Sequence, residues 1–309
     1  MKLVDKNILI TGIDGFVGDH LSKELKKRGA NVFGVSKTKK GKDIYKKNIV
    51  NFEELNSLFE KLKIQICFHL AGISLVEEGQ EKPYDTFKIN VLGALNVLEI
   101  TRIHSLERVI IASTAHVYGD NVPPFREAFF PRPTRPYETS KATVDLIAQS
   151  YADTFNIPVL IPRFVNIYGP GDIHSTRLIP KTIKSILKGE DPKIWGGKAV
   201  RDYLYIDDAV DGYIKLSTVN LNKIGRNKIF NFGSGNKISV ERIVDKAIRI
   251  SGKPLKAKRI KDQRELEISQ QYVSFEKAEK LLGWKPQVGI DEGLTKTLEW
   301  ARKNMKMSR

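Results

Sequence analysis

The chain has 309 residues, 41% of them hydrophobic and 28% charged, with a single cysteine; this is length enough for one large or two smaller domains with an ample core, and too little cysteine for a disulfide-stapled fold. The 52 Lys and Arg outnumber the 36 Asp and Glu for a net charge of +16. They are scattered rather than gathered into an arm or interleaved with stacking aromatics, so a nucleic-acid partner is not expected, while a phosphate-bearing small molecule fits. No signal pattern and no long uncharged apolar run occurs, so no membrane partner is expected and the cytoplasm is the expected location.

Lys6–Thr11 carries a short apolar run of the kind a buried parallel strand shows. It leads through Thr11-Gly12-Ile13-Asp14-Gly15-Phe16-Val17-Gly18 into a helical pattern with Leu21 and Leu25. Strand, glycine turn and helix is the context a dinucleotide-binding loop requires. Gly12 allows the tight turn, Gly15 lets the main chain approach a pyrophosphate, and Gly18 permits close packing of helix on strand. The second strand, Asn31–Val35, ends where an acidic residue would hold the adenosine ribose 2′-hydroxyl. Ser36 stands there instead, followed by Lys37, Thr38, Lys39 and Lys40. With no carboxylate in that place and several cations after it, the cofactor, NAD or NADP, leans towards NADP, although serine can also bond a ribose hydroxyl.

A third strand is expected at Lys47–Val50, placing Asn51 and Phe52 at its carboxyl end beside an adenine, and a helix at Phe52–Leu62. The fourth strand, Gln65–Leu70, holds Cys67 as a buried small residue and His69 as a core histidine. It ends in Leu70-Ala71-Gly72, small enough to let a backbone lie along the cofactor. No histidine or cysteine spacing points to a metal. A long helix, Tyr84–Thr101, carries Asn90 off its apolar stripe, either bonded to a strand carbonyl or solvated. The strand Arg108–Ala112 ends at Ser113-Thr114, where Thr114 either meets a substrate hydroxyl or caps a turn.

After Pro131, Pro133 and Pro136, the run Tyr137-Glu138-Thr139-Ser140-Lys141 opens a helix, with phenol and ammonium on one face at spacing i, i+4. An ammonium beside the phenol would lower its pKa from about 10. Such a pair can take a proton from a hydroxyl while hydride leaves the same carbon. In the back half, helices are expected at Leu178–Lys188, Asp207–Leu216, Val240–Ile250 and Asp291–Arg302, with an extended segment at Pro192–Trp195 and a turn at Gly196-Gly197. The expected fold class is α/β: a doubly wound parallel (Rossmann) sheet with a smaller, interlocked C-terminal substrate lobe. Residues 1–168 form the dinucleotide domain, to which 203–220 return, and 169–309 form mainly the substrate lobe.

Thr-Gly-x-x-Gly-Phe-x-Gly at 11–18, His-Leu-Ala-Gly at 69–72, Ile-Asn-Val-Leu-Gly at 89–93, Ser-Thr-x-x-Val-Tyr-Gly at 113–119 and Tyr-x-x-x-Lys at 137–141 occur in this order. Arg163–Gly171, Arg201–Asp208, Phe230–Gly235 and Leu282-Gly283-Trp284 follow. Together they resemble the extended short-chain dehydrogenase/reductase family acting on nucleotide sugars, in particular its CDP-glucose and GDP-mannose 4,6-dehydratases and the related epimerases and 4-keto reductases. The resemblance implies Tyr137 as base, Lys141 as its partner and a ribose ligand, and Thr114 as the hydroxyl that orients the sugar. It places Gly12, Gly15, Phe16 and Val17 at the pyrophosphate, and Ser36, Lys37, Asn51 and Phe52 at the adenosine. Leu70, Ala71, Gly72, Asn90 and Val165 fall along the rest of the cofactor. For a nucleotide-diphosphate sugar it implies Ser74, Asn166, Leu178, Arg201 and Arg259, the last equally readable as a surface ion pair. A homodimer through the helices at 84–101 and 140–155 is implied as well.

The 4,6-dehydratases generally follow the catalytic Thr with an acidic residue; here Ala115 and His116 follow. Alanine moves no proton, which favours a reaction needing only hydride and the Tyr proton: 4-epimerisation or 4-keto reduction. Dehydration through His116, whose ordinary pKa of about 6.5 suits proton transfer, is the alternative. A non-catalytic NAD(P)-binding sensor is a further alternative, and such modules typically lack the Tyr and Lys pair.

Overall fold

The computed structural model describes residues 1–195, 197–226, 228–260 and 268–304. The first half runs β1 (Asn7–Thr11), α1 (Phe16–Lys27), β2 (Asn31–Ser36), β3 (Ile44–Lys46), α2 (Phe52–Leu62), β4 (Ile66–His69), α3 (Val76–Glu81), α4 (Pro83–Phe87), a π-helical turn (Lys88–Leu92) and α5 (Gly93–Ile103). It continues through β5 (Arg108–Ile111), β6 (Ser113–Thr114), a 3₁₀ turn (Ala115–Tyr118), α6 (Pro136–Phe155), β7 (Val159–Phe164) and β8 (Asn166–Tyr168). The second half comprises α7 (Leu178–Lys188), β9 (Lys193–Trp195), β10 (Val200–Arg201), β11 (Tyr203–Tyr205), α8 (Ile206–Thr218), α9 (Leu221–Ile224) and β12 (Ile229–Phe232). Then come β13 (Ile238–Ser239), α10 (Val240–Ser251), β14 (Lys258–Ile260), β15 (Gln270–Gln271), α11 (Glu276–Leu282) and α12 (Ile290–Asn304).

The main sheet is parallel, in the order β12-β7-β5-β4-β1-β2-β3, with β6 pairing β7. Both faces of β1 are buried, so it reads as a continuous apolar run, and its side chains divide between two cores. Ile8 and Ile10 join Leu21 and Leu25 of α1 and Ala209 of α8, while Leu9 joins Leu58 of α2, Val97 of α5 and Val144 of α6. The strand order reverses between β1 and β4, and a crevice for a ligand opens there, outside the carboxyl ends of the strands.

The C-terminal lobe is built from small sheets, β13-β10-β15 and β14-β9, with α7, α10 and α12 packed together. It interlocks with the sheet domain at several places. Trp284, fully buried, donates its indole N–H to the Asp208 carbonyl at 3.0 Å, and the Asp208 carboxylate accepts the N–H groups of Gln287 and Val288. α8 packs on α1, and β12 adds an edge to the main sheet beyond the returning segment at 203–220.

Two expectations change. The third strand lies at Ile44–Lys46, not Lys47–Val50, because Ile44 registers with Gly34 and Lys46 with Ser36. As a half-buried edge strand it carries too few apolar residues to stand out. The helix expected at Tyr84–Thr101 is broken into α4, the π turn and α5, and the π turn buries Asn90. The turn at Gly196-Gly197 falls partly on Gly196, which lies outside the described residues.

Candidate active site

The glycine loop connects β1 to α1 under the switch point. Gly12 adopts φ +74°, and a Cβ there would stand 3.0 Å from the Ala71 backbone after β4. Gly18 has no space at all, since a Cβ would lie 2.2 Å from the Gly12 carbonyl oxygen. Gly15 forms the N-cap of α1 without a capping side chain. The first amides of that helix are thereby left for an anion, as a dinucleotide pyrophosphate requires. Thr11 Oγ1 accepts the Ala71 N–H at 3.2 Å and bonds His69 Nδ1 at 2.9 Å. His69 is a core histidine, its pKa lowered to about 3 by burial and by the nearby Lys141 charge.

Asn90 accounts for the π turn. It accepts the Ile73 N–H at 2.8 Å, donates to the Ile73 carbonyl at 3.0 Å, and donates to Ser140 Oγ at 2.9 Å. One buried amide thus ties the segment after Gly72 to the helix that carries Tyr137, and π turns of this kind recur at functional sites. Asn51 caps α2 by accepting the Glu54 N–H at 3.1 Å.

A cavity of about 400 Å³ opens at the carboxyl ends of the strands. Phe16, Val17, Leu70 and Val165 line it, as do Ser74, Asn166, Leu178 and Arg201. Thr114, His116, Tyr137 and Lys141 also line it. Pro136 at the first position of α6 sets Tyr137 on the opening turn. Tyr137 is buried, and it lines the cavity together with Thr114. Gly79 of α3 presses on its footing: a Cβ at that position would lie 2.9 Å from the Tyr137 Cβ.

The expected pairing of phenol and ammonium differs in one respect. Lys141 donates its Nζ to the Ala112 carbonyl at 2.9 Å, and burial lowers its pKa to about 8. Burial pushes the Tyr137 phenol up to about 12, against the lowering pull of the Thr114 hydroxyl and of the Arg177 charge. The cation acting on the phenol is therefore Arg177, which sequence reading gave no role. Its guanidinium sits 3.3 Å from Asp172 Oδ1 and 3.3 Å from Ser74 Oγ. Below Lys141, Asp145 forms a fully buried ion pair with Arg163 at 2.6 Å, and the Arg163 guanidinium lies 4.7 Å from the Tyr118 ring centroid. That pair anchors α6 to β7.

His116 faces the cavity with its ring centroid 6.1 Å from that of Tyr137, and its Nδ1 lies 3.4 Å from a buried Glu138 carboxylate oxygen. The Glu138 carboxyl, which also accepts the Thr134 N–H at 3.1 Å, is held below the ordinary carboxylate range by its hydrogen bonds and neighbouring cations despite burial. Arg259 is not brought to the cavity; it forms an ion pair with Glu241 on the surface. Lys37 is exposed beside Ser36. The absence of a carboxylate at the end of β2 is corrected by the fold, because Ser36 Oγ donates to Asp14 Oδ2 at 2.8 Å. Among the described residues, no group of three or more His, Cys, Asp or Glu is arranged to hold a metal, and no helix is long and apolar enough to cross a membrane.

The sequence model of the NAD dependent epimerase/dehydratase family matches residues 8–233. A UDP-glucuronate 4-epimerase from Thermodesulfobacterium geofontis is 29% identical over 97% of this chain and 97% of its own length. Among solved structures, the UDP-glucose 4-epimerase of Thermotoga maritima with UDP-glucose superposes with a TM-score of 0.90 at 28% identity, covering 97% of this chain and all of that one. The UDP-glucuronic acid 4-epimerase of Bacillus cereus, in complex with UDP-glucuronic acid and NAD, superposes at 0.87 with 26% identity, over 96% and 99% of the two chains.

Proposed function

The chain belongs to the NAD dependent epimerase/dehydratase family, and from that premise we propose that it is a nucleotide-sugar 4-epimerase in which Tyr137 handles the proton of the sugar 4-hydroxyl. The observation that carries this reading is the meeting of Tyr137, Thr114 and Lys141 in one cavity beside the glycine loop. A bound nicotinamide dinucleotide supplies the acceptor and donor of hydride at C4. This chain supplies the rest. Thr114 and Tyr137 together fix the 4-hydroxyl, and Tyr137, reacting as the phenolate, receives its proton directly or through the Thr114 hydroxyl. Lys141 and Arg177 lend positive charge to the site. Asn166 and Arg201, on the lobe side, are suited to the diphosphate, for which charge-assisted bonds are strong.

No residue in this scheme touches C5, which is what distinguishes epimerisation from dehydration. The arrangement of His116 against Glu138 favours dehydration as a second reading, since it sets a proton-transfer group beside Tyr137. Incubation with UDP-, GDP-, CDP- and dTDP-hexoses, followed by NMR in deuterated water, separates the two. A C4 epimer without deuterium at C5 is expected, and deuterium at C5 with a 4-keto-6-deoxy product would restore dehydration. Tyr137→Phe should lower kcat by about 10²–10⁴ while dinucleotide affinity stays within a few-fold.

The protein is expected to work as a homodimer. α4, α5 and α6 present Tyr84, Ile103, Leu146 and Phe155 to solvent, with 77%, 48%, 58% and 48% of their surface exposed, an apolar patch that a second copy would cover. The free, fully buried Cys67 suits a reducing compartment such as the cytoplasm.

A further inference from the structure

We propose that Asp14 selects the dinucleotide: its carboxylate accepts the adenosine ribose 2′-hydroxyl of NAD and rejects the 2′-phosphate of NADP. The proposal rests on the dinucleotide part of the reading above and not on the sugar chemistry. In dinucleotide-binding folds the acidic residue that meets this hydroxyl normally ends the second strand. Here that place belongs to Ser36, 1% exposed, whose side chain is too short and too enclosed to act alone. The glycine loop delivers the missing charge from 22 residues upstream. Ser36 Oγ donates to Asp14 Oδ2 at 2.8 Å, and Thr38 Oγ1 donates to the same oxygen at 3.4 Å.

The clamp is itself held. Ser36 Oγ accepts the N–H groups of Thr38 at 3.1 Å and Lys39 at 2.9 Å, which fixes its hydroxyl hydrogen towards Asp14. Because both bonds converge on Oδ2, Oδ1 remains an acceptor beside the glycine loop. The lysines that favour a phosphate, Lys37, Lys39 and Lys40, are exposed and screened by solvent. A fixed, half-buried carboxylate outweighs them.

The test is a binding measurement without sugar. Protein stripped of dinucleotide is titrated with NADH and NADPH by reduced-nicotinamide fluorescence, and the dinucleotide that co-purifies is identified by chromatography after acid release. The protein should bind NADH at least about tenfold more tightly than NADPH, a difference of about 1.4 kcal/mol. Asp14→Ala should bring the two affinities together, chiefly by tightening NADPH, and Ser36→Ala should move the ratio the same way by a smaller step. Should Asp14→Ala fail to fold, as judged by circular dichroism, the near-isosteric Asp14→Asn carries the same ratio test. Equal or tighter binding of NADPH by the unmodified protein, or an unchanged ratio in the Asp14 variants, would overturn the assignment. A protein that selects NADH but alters no nucleotide sugar sinks the epimerase reading alone; one that epimerises while preferring NADPH sinks this inference alone.

Discussion

Replacing Lys141 by methionine should make the protein more stable while disabling it. The ammonium is partly buried between α6 and the end of β5, and its pKa falls from 10.5 to about 8. At about 1.36 kcal/mol for each pH unit, that gap corresponds to roughly 3 kcal/mol spent on keeping the charge in place at neutral pH. Two effects reduce the gain on replacement: the Nζ opens on the cavity, where water screens it, and its bond to the Ala112 carbonyl is lost. A net stabilisation of about 2 kcal/mol remains, or roughly 4 °C in Tm for a chain of this size. Its pH dependence identifies its origin. Since the folded pKa is depressed, the cost is full below about 8 and disappears as pH climbs from there to about 10.5, where the unfolded chain also gives up its proton. Urea denaturation of dinucleotide-free protein at pH 7 and pH 10 reads both quantities. A Lys141→Met variant less stable than the parent at pH 7, or one whose advantage is the same at both pH values, refutes the reasoning.

Further outcomes follow from the same geometry. Arg177→Met removes the cation that lowers the Tyr137 pKa, so the rising limb of the kcat–pH profile should move to higher pH, whereas an unmoved limb would deny Arg177 that influence. Arg163→Leu strands the buried Asp145 carboxylate and should cost about 3–5 kcal/mol in urea denaturation; a loss under about 1 kcal/mol would mean that the pair is not an anchor. Leu146→Glu, on the exposed face of α6, should convert dimer to monomer in light scattering, and a dimer that persists places the interface elsewhere.

The parts legible in the sequence were those whose signal is local. β1, β4 and β5 announce themselves as apolar runs because both of their faces are covered. The glycine loop and the Tyr137–Lys141 spacing are likewise contained in a few consecutive residues. What escaped depends on partners distant in sequence. β12 joins the sheet beside β7 across the 64 residues of chain between Phe164 and Ile229, and nothing in Ile229–Phe232 names its neighbour. Asp14 acquires meaning only when β2 brings Ser36 alongside it. Arg177 carries no local signal, since its effect on Tyr137 arises from how the loop before α7 lies at the cavity. The π turn was hidden because Asn90 is one polar residue in an otherwise regular helical pattern, and its three bonds go to segments 17 and 50 residues away.

The contact of α3 with the opening turn of α6 extends the chemistry to a residue that touches no ligand. Gly79 abuts the stem of Tyr137, where both the side-chain root and the peptide nitrogen are within 3.2 Å of a hypothetical methyl group. Neither is a flexible tip able to swing aside. Even alanine there must slide one helix against the other, carrying the phenolic oxygen off its mark by tenths of an ångström while the hydrophobic interior stays whole. Gly79→Ala is therefore expected to lower kcat while leaving the protein folded, as turnover assays alongside circular dichroism would show.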